Sequence, residues 1–230
     1  MKKWDVITKI GDMAVDNQGM ITIGPDLRLR FAYQIQKISQ NGTVPLTVVR
    51  DGKSMAVDLP VLTKYSTPFE QLEGGYPSFF VFGPLAFSTA SDELVKGLAT
   101  NLRALALLLA RNNPLATRLD SEAAFEGERL VVVPAPLFPH KLSVGYANPG
   151  MAVVKAINGT AIKNLGHLVE VLRDSREEFI VVEFAGRGET LVFARKELLR
   201  TTDEILTDNG VRTQGSPDVM AIWNSKPTGQ

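Results

Sequence analysis

Residues 151–172, MAVVKAINGTAIKNLGHLVEVL, place the patterns of a strand, a tight turn and a helix in immediate succession. The Val- and Ile-containing run 151–157 favours a buried strand. Asn158-Gly159 is typical of a tight turn, because such turns need φ angles that Asn and Gly adopt most readily. Asn164 fits a helix N-cap, and the apolar residues after it share one helical face: Leu165, Leu168, Val169 and Leu172. The stretch therefore predicts a strand, a turn, a short second strand and a helix.

The same order recurs near the start of the chain, because residues 4–17 align with residues 151–164 without a gap. Each copy is followed by a helical stripe and a predicted hairpin, LTVVRDGKSMAVDL in the first and FIVVEFAGRGETLVF in the second. The first stripe consists of Leu27, Phe31, Ile35 and Ile38. Two copies are too few for a solenoid, so we expect two separate α+β units. A chance alignment of two unrelated α+β stretches is the alternative.

Composition is that of an ordinary soluble protein, with 44% hydrophobic and 22% charged residues. The 25 basic and 25 acidic residues balance, which argues against a nucleic-acid or membrane-surface protein. The chain has no cysteine, and its most apolar stretch, 94–110, contains charges and is too short to span a bilayer. The first ten residues lack a signal-peptide pattern. The compartment is left open: cytoplasmic if Met1 is the true start, the cell envelope if the chain was cut from a secreted protein.

The predicted domain organisation has two units, a linker and a tail. We assign 1–62 to the first unit, 63–75 to a polar linker, 76–199 to the second unit and 200–230 to a polar tail that is surface-packed or mobile. A leucine-rich helix, 91–112, is inserted into the second unit. Its many leucines fit a core helix, and an oligomer contact is the alternative.

Residue types for catalysis are scarce. The chain has only two histidines, His140 in a Pro-rich loop and His167 in the predicted helix, and it contains no G-x-S-x-G nucleophile elbow. Gly52-Lys53-Ser54 falls in a hairpin turn rather than opening a helix, so it does not predict a phosphate-binding loop. We therefore expect no enzymatic activity, no cofactor and no metal site.

The two repeated segments, DVITKIGDMAVDN and MAVVKAINGTAIKN, resemble the core of PDZ domains, in particular those of Deg/HtrA serine endopeptidases. GGYPSFFVFGPLAF is similar to the start of the second PDZ-like domain in the branch with two of them. The resemblance implies an α+β fold of two PDZ-like units, bent antiparallel sheets capped by helices, with the first incomplete at its N-terminus. It also implies a non-catalytic regulatory region of a serine protease involved in protein quality control, with the protease domain absent.

By the same resemblance, residues 82–87 match the carboxylate-binding loop of a PDZ domain, although Pro84 removes one backbone donor. A peptide would then add as a strand beside this segment and the helix that holds His167. The predicted peptide-binding residues are Phe82, Gly83, Pro84, Leu85, Ala86, Phe87, His167, Leu168 and Val171. Expected partners are peptides, unfolded protein segments or a neighbouring PDZ-like unit, within a homo-oligomer. The alternative is a free-standing scaffold that acts through oligomerisation without binding peptides.

Overall fold

The structure is a computed structural model that describes residues 1–39, 42–61 and 66–226. The chain divides into two compact units, Met1–Tyr65 and Ser66–Gln230. Each unit combines helices with antiparallel sheets, so the predicted α+β class is confirmed. In the described part of the chain, no helix is both long and apolar enough to cross a membrane.

The first unit is built on a four-stranded antiparallel sheet in the order β2-β1-β5-β6, with a separate β3-β4 hairpin. Its elements are β1 Val6–Ile10, β2 Met13–Ala14, β3 Met20–Ile23, β4 Leu27–Arg30, α1 Ala32–Ile38, β5 Thr43–Arg50 and β6 Lys53–Pro60. The fully buried core residues are Ile10, Ile21, Val44, Leu46 and Val48. Leu27 lies in a strand and is about half exposed, so its assignment to the helical stripe is wrong.

The second unit contains a four-stranded sheet, β11-β10-β12-β13, and a three-stranded sheet, β7-β8-β9. Its first half comprises β7 Phe79–Phe82, β8 Leu85–Thr89, α2 Asp92–Ala99, α3 Leu102–Ala110, α4 Pro114–Thr117 and β9 Val131–Val132. A one-turn 3₁₀ helix, Lys141–Ser143, follows. Its second half comprises β10 Val154–Ile157, β11 Thr160–Ala161, α5 Leu165–Asp174, β12 Phe179–Phe184, β13 Leu191–Ala194, α6 Arg195–Asp208 and α7 Pro217–Trp223.

The sequence repeat is also a structural repeat. The order β1-β2-α1-β5-β6 corresponds to β10-β11-α5-β12-β13, and the two sheets have the same strand order. The pairing register shifts between Ile7 and Lys9 in one sheet and between Val154 and Ala156 in the other. These positions are equivalent in the gap-free alignment. The shared bulge supports a common design, because bulges re-aim a strand at a defined place. Among the described residues, the first unit contains no counterpart of the β7-β8-β9 sheet.

The predicted helix 91–112 and the predicted linker both differ from the structure. The helix expected over 91–112 is two helices, because the side chain of Asn101 accepts a hydrogen bond from the Ala104 amide and begins α3 anew. Part of the expected linker belongs to the second unit: Phe69 is buried there, and the Glu70 amide donates to the Ala90 carbonyl at 2.9 Å. Residues 63–65 of that linker lie outside the described residues.

The predicted polar tail over 200–230 is wrong for its described part. The helix α6 crosses the assigned boundary and buries Leu198, Ile205 and Leu206, while Val219 of α7 is also buried. Thr201 and Thr202 lie on the same buried face, where their hydroxyls donate to the carbonyls of the preceding turn. These hydrogen bonds satisfy the polar groups, so two threonines can occupy core positions. Residues 227–230 lie outside the described residues.

Candidate functional site

The segment predicted to bind a carboxylate is a closed hairpin turn. Phe82 pairs with Leu85, so Gly83 and Pro84 form a two-residue hairpin turn. Gly83 occupies its first central position with a φ of 57°, and the favoured two-residue hairpin turns need a positive φ at that position. The Gly83 amide donates to the Thr202 hydroxyl at 2.9 Å, and the Pro84 carbonyl accepts from the Phe138 amide at 2.8 Å. Since Pro84 has no N–H, neither central residue of the turn offers a free backbone donor to a carboxylate.

The outer edge of β7 is paired with an extended segment from the C-terminal part of the same unit. The Val81 amide donates to the Gln214 carbonyl at 2.7 Å, and the Ser216 amide donates to the Phe79 carbonyl at 3.0 Å. The Gln214 side chain donates to the Val81 carbonyl at 3.0 Å, and Phe80 forms an antiparallel bridge with Gly215. This arrangement is strand addition to an open sheet edge, the mode by which PDZ domains take up peptides.

Helix α7 continues from this added strand and packs against α5 and β7. The Trp223 ring lies 5.1 Å from the Phe80 ring and 5.6 Å from the Phe82 ring, measured between centroids. The Arg173 guanidinium of α5 donates to the Ile222 carbonyl at 2.8 Å at the end of α7. We call residues 213–223 the closing segment, because they fill the space beside β7 and α5 where a peptide was predicted to lie.

A polar contact also holds the closing segment. The Asp218 carboxylate accepts a hydrogen bond from the Ser78 hydroxyl at 2.7 Å, just before β7 begins. Burial pushes the pKa of Asp218 upward, but hydrogen bonds from Ser216, Ser78 and the amides at the start of α7 outweigh it. The net effect is a pKa below the usual value for Asp, so the ionised carboxylate is the form that the docked segment stabilises.

The predicted site residues are brought together, but mainly as core. Phe82, Gly83, Pro84, Leu85, Phe87 and Leu168 are buried, whereas Ala86, His167 and Val171 are partly exposed. Leu168 has no exposed surface at all. The closing segment therefore occupies the place where the peptide was predicted to lie, and peptide binding by these residues stays a prediction. Sequence reasoning missed the closing segment, for which Ser216-Pro217 was an available helix-start signal.

Both histidines have structural hydrogen bonds. His140 begins the 3₁₀ helix, where its Nδ1 accepts from the Leu142 amide at 3.2 Å. His167 Nδ1 accepts from the Lys163 amide at 3.4 Å, just before α5. No group of three or more His, Cys, Asp or Glu side chains placed to hold a metal ion occurs among the described residues.

Comparison with known proteins places this site in a family context. The PDZ domain family matches residues 68–218, which include β7, α5 and the first half of the closing segment. The chain is 23% identical over 220 residues to Protease Do-like 2, chloroplastic, of Arabidopsis thaliana, covering 96% of this chain and 35% of that protein. It is 22% identical to Putative protease Do-like 13 of the same plant, covering 96% of this chain and 39% of that protein. The chain thus spans between a third and two fifths of the length of these relatives, and the resemblance to the PDZ region of Deg/HtrA-type proteases is confirmed.

Proposed function

Because the chain belongs to the PDZ domain family, we propose that it is a peptide-binding and regulatory-assembly region of a Deg/HtrA-type serine protease, not catalytic by itself. The ligand would be an extended segment that adds to the β7 edge beside α5. One observation carries this proposal: the β7 edge already forms main-chain hydrogen bonds with an extended segment, residues 214–216. The geometry for strand addition is therefore present, with the protein's own chain as the occupant.

An incoming segment has to replace the closing segment. The docked state is stabilised by the hydrogen bonds of residues 214–216 and by the packing of Trp223 on two phenylalanine rings. When only a fraction of the molecules is in the binding-competent state, the apparent affinity is the intrinsic affinity multiplied by that fraction. Binding through this edge is therefore weak while the closing segment is docked and strong once it is released, which is a regulatory property.

The preferred ligand is an internal extended segment rather than a free C-terminus. Strand addition uses main-chain hydrogen bonds that any sequence can supply, as suits unfolded protein segments or a neighbouring PDZ-like unit. A terminal carboxylate would need free backbone donors at the hairpin turn, but the Gly83 amide is used by Thr202 and Pro84 has none. Leaving a buried carboxylate without donors is costly.

The test compares peptide binding by the parent chain and by Trp223→Ala, which weakens docking while every residue of β7 is kept. Peptides chosen from a display library should bind Trp223→Ala at least about tenfold more tightly. They should shift the amide resonances of Phe79 and Val81. The matched control is Trp4→Ala, because Trp4 lies in the first unit and is 86% exposed. Equal affinity for all three proteins, or shifts confined to other strands, would refute binding at the β7 edge.

A second candidate function is a scaffold that assembles without binding peptides. The observation in its favour is the exposure of three leucines of α3, of which Leu102 is 77% exposed, Leu107 53% and Leu109 50%. The core interpretation holds for Leu108, which is buried. If the Trp223→Ala protein binds no peptide yet the parent chain self-associates, the scaffold is the better description.

The absence of catalysis is tested separately. Both histidines accept hydrogen bonds from backbone amides, and the sequence has no nucleophile elbow. A fluorophosphonate probe should label no serine of this chain, and casein should remain intact. Stoichiometric labelling of a single serine would overturn this part of the proposal.

A further inference from the structure

A partly enclosed pocket of about 190 Å³ lies in the second unit between the end of α3, the loop 147–150 and the turn that joins β12 to β13. None of its lining residues belongs to β7, α5 or the closing segment. Its apolar lining includes Leu108, Phe184 and Leu191, each at most 7% exposed. Pockets for drug-sized ligands span roughly 300–1,000 Å³, so this one suits a single small apolar group.

The walls of this α3 pocket are fixed by backbone contacts. The Arg187 amide donates to the Arg111 carbonyl at 2.9 Å, which joins the strand turn to the end of α3. At Gly186, with a φ of 73°, an added Cβ would lie 2.4 Å from the Arg111 carbonyl oxygen, so only glycine permits this approach. Asn148 accepts from the Gly150 amide at 2.8 Å and shapes the opposite wall. The pocket is therefore preformed.

The charged rim gives the pocket its chemical preference. Arg111 and Arg187 both line it, and neither forms an ion pair with any residue that the structure describes. Glu189 is the acidic residue of the lining, and it too has no ion pair within the described chain. By contrast, Arg118 and Arg200 elsewhere in this unit pair with carboxylates. Guanidinium groups bind carboxylates with matched geometry, so two arginines in the lining of a pocket with an apolar floor favour an anionic amphipathic ligand.

We propose that the α3 pocket binds a small apolar group that carries one carboxylate. The apolar group would lie on Leu108, Phe184 and Leu191, and the carboxylate would face Arg111 and Arg187. A branched aliphatic amino-acid residue with a free carboxylate has this chemistry, whether as a small molecule or at the end of a peptide. Glu189 limits the affinity by repelling the carboxylate.

The experiment is a titration of the ¹⁵N-labelled chain with N-acetyl-leucine, and the matched control is N-acetyl-leucinamide, which has no charge. N-acetyl-leucine should cause saturable shifts of the backbone N–H resonances of Gly150, Ala185 and Gly188 at millimolar concentration. N-acetyl-leucinamide should cause no such shifts. A leucine-ending peptide with a free or amidated terminus distinguishes the two sources, because binding of the peptide alone identifies a chain terminus as the ligand. If neither acid binds, the proposal is overturned.

Variants of the chain separate the charges from the cavity. Replacing Arg111→Gln together with Arg187→Gln should weaken binding by about tenfold or more, whereas Arg176→Gln, at an exposed position outside the pocket, should leave it unchanged. Ala147→Leu fills the pocket from an exposed loop and should abolish binding with the arginines intact. Glu189→Gln should strengthen binding. Unchanged affinity in both the double-arginine variant and Ala147→Leu would show that the shifts arise elsewhere.

Discussion

Replacement of Trp223 by alanine should release the closing segment without unfolding the second unit. Complete truncation of a buried aromatic residue costs roughly 3–5 kcal/mol, and each aromatic pair contributes about 0.5–1.5 kcal/mol beyond its buried area. Trp223 is only partly buried but contacts two rings, Phe80 and Phe82. We therefore expect a loss of about 2–3 kcal/mol from the free energy of docking.

Native-state hydrogen exchange measures this loss at one amide. The Val81 N–H is protected by the Gln214 carbonyl and becomes free when the closing segment leaves. A change of 2–3 kcal/mol should accelerate its exchange by roughly 30- to 150-fold. The Val133 N–H, which donates to the Ala152 carbonyl away from α7, reports on global unfolding and should change less. Equal acceleration of both amides would mean that Trp223 stabilises the whole unit, and no acceleration at Val81 would refute the docking role.

Three further outcomes follow from the same geometry. Gly83→Ala should destabilise the second unit by roughly 1–3 kcal/mol in urea unfolding, because a Cβ there would lie 2.3 Å from the side chain of buried Leu198. The control is Gly159→Ala, which is also at positive φ but has open space around it and should therefore cost less stability. Asp218 has a lowered pKa when docked, so its contribution is present above the usual value of 3.8 and is lost as pH falls through the folded value. The protection of the Val81 amide, taken as the ratio of the intrinsic to the measured exchange rate at each pH, should therefore fall in acid less steeply in Asp218→Asn than in the parent, and identical profiles would contradict this. Leu107→Glu, at an exposed position of α3, should reduce self-association in sedimentation at micromolar concentration, and a parent chain that is already monomeric would remove the case for assembly through α3.

The repeated part of the fold could be predicted because its signals are local. The helix α5 begins after Asn164 as expected, and its predicted stripe residues are all buried. In β12, buried and less buried residues alternate as a strand pattern requires. These features need only neighbouring residues to form, so the sequence alone specified them.

The closing segment and α6 could not be predicted in the same way. The buried face of α6 includes Thr201 and Thr202, whose hydroxyls donate to carbonyls within the helix. Because these two core positions hold polar residues, the sequence pattern of α6 does not indicate a buried helix. The state of the turn at Gly83 depends on Thr202, which lies 119 positions away. A pattern read over ten or twenty residues contains no information on such a partner. For that reason the burial of the predicted site residues could not be read from the sequence, and their role in peptide binding stays a prediction.

The distance along the chain between β7 and its edge partner has a consequence for synthesis. Phe79–Phe82, FFVF, is made long before Gln214, which must emerge from the ribosome before it can pair with Val81. During that interval the nascent chain carries an apolar strand with one unpaired edge, a feature that promotes aggregation between chains. Ribosomes that stall after α5 would release a product with this edge uncovered. Such truncated chains should therefore depend on chaperones more strongly than the full-length product does.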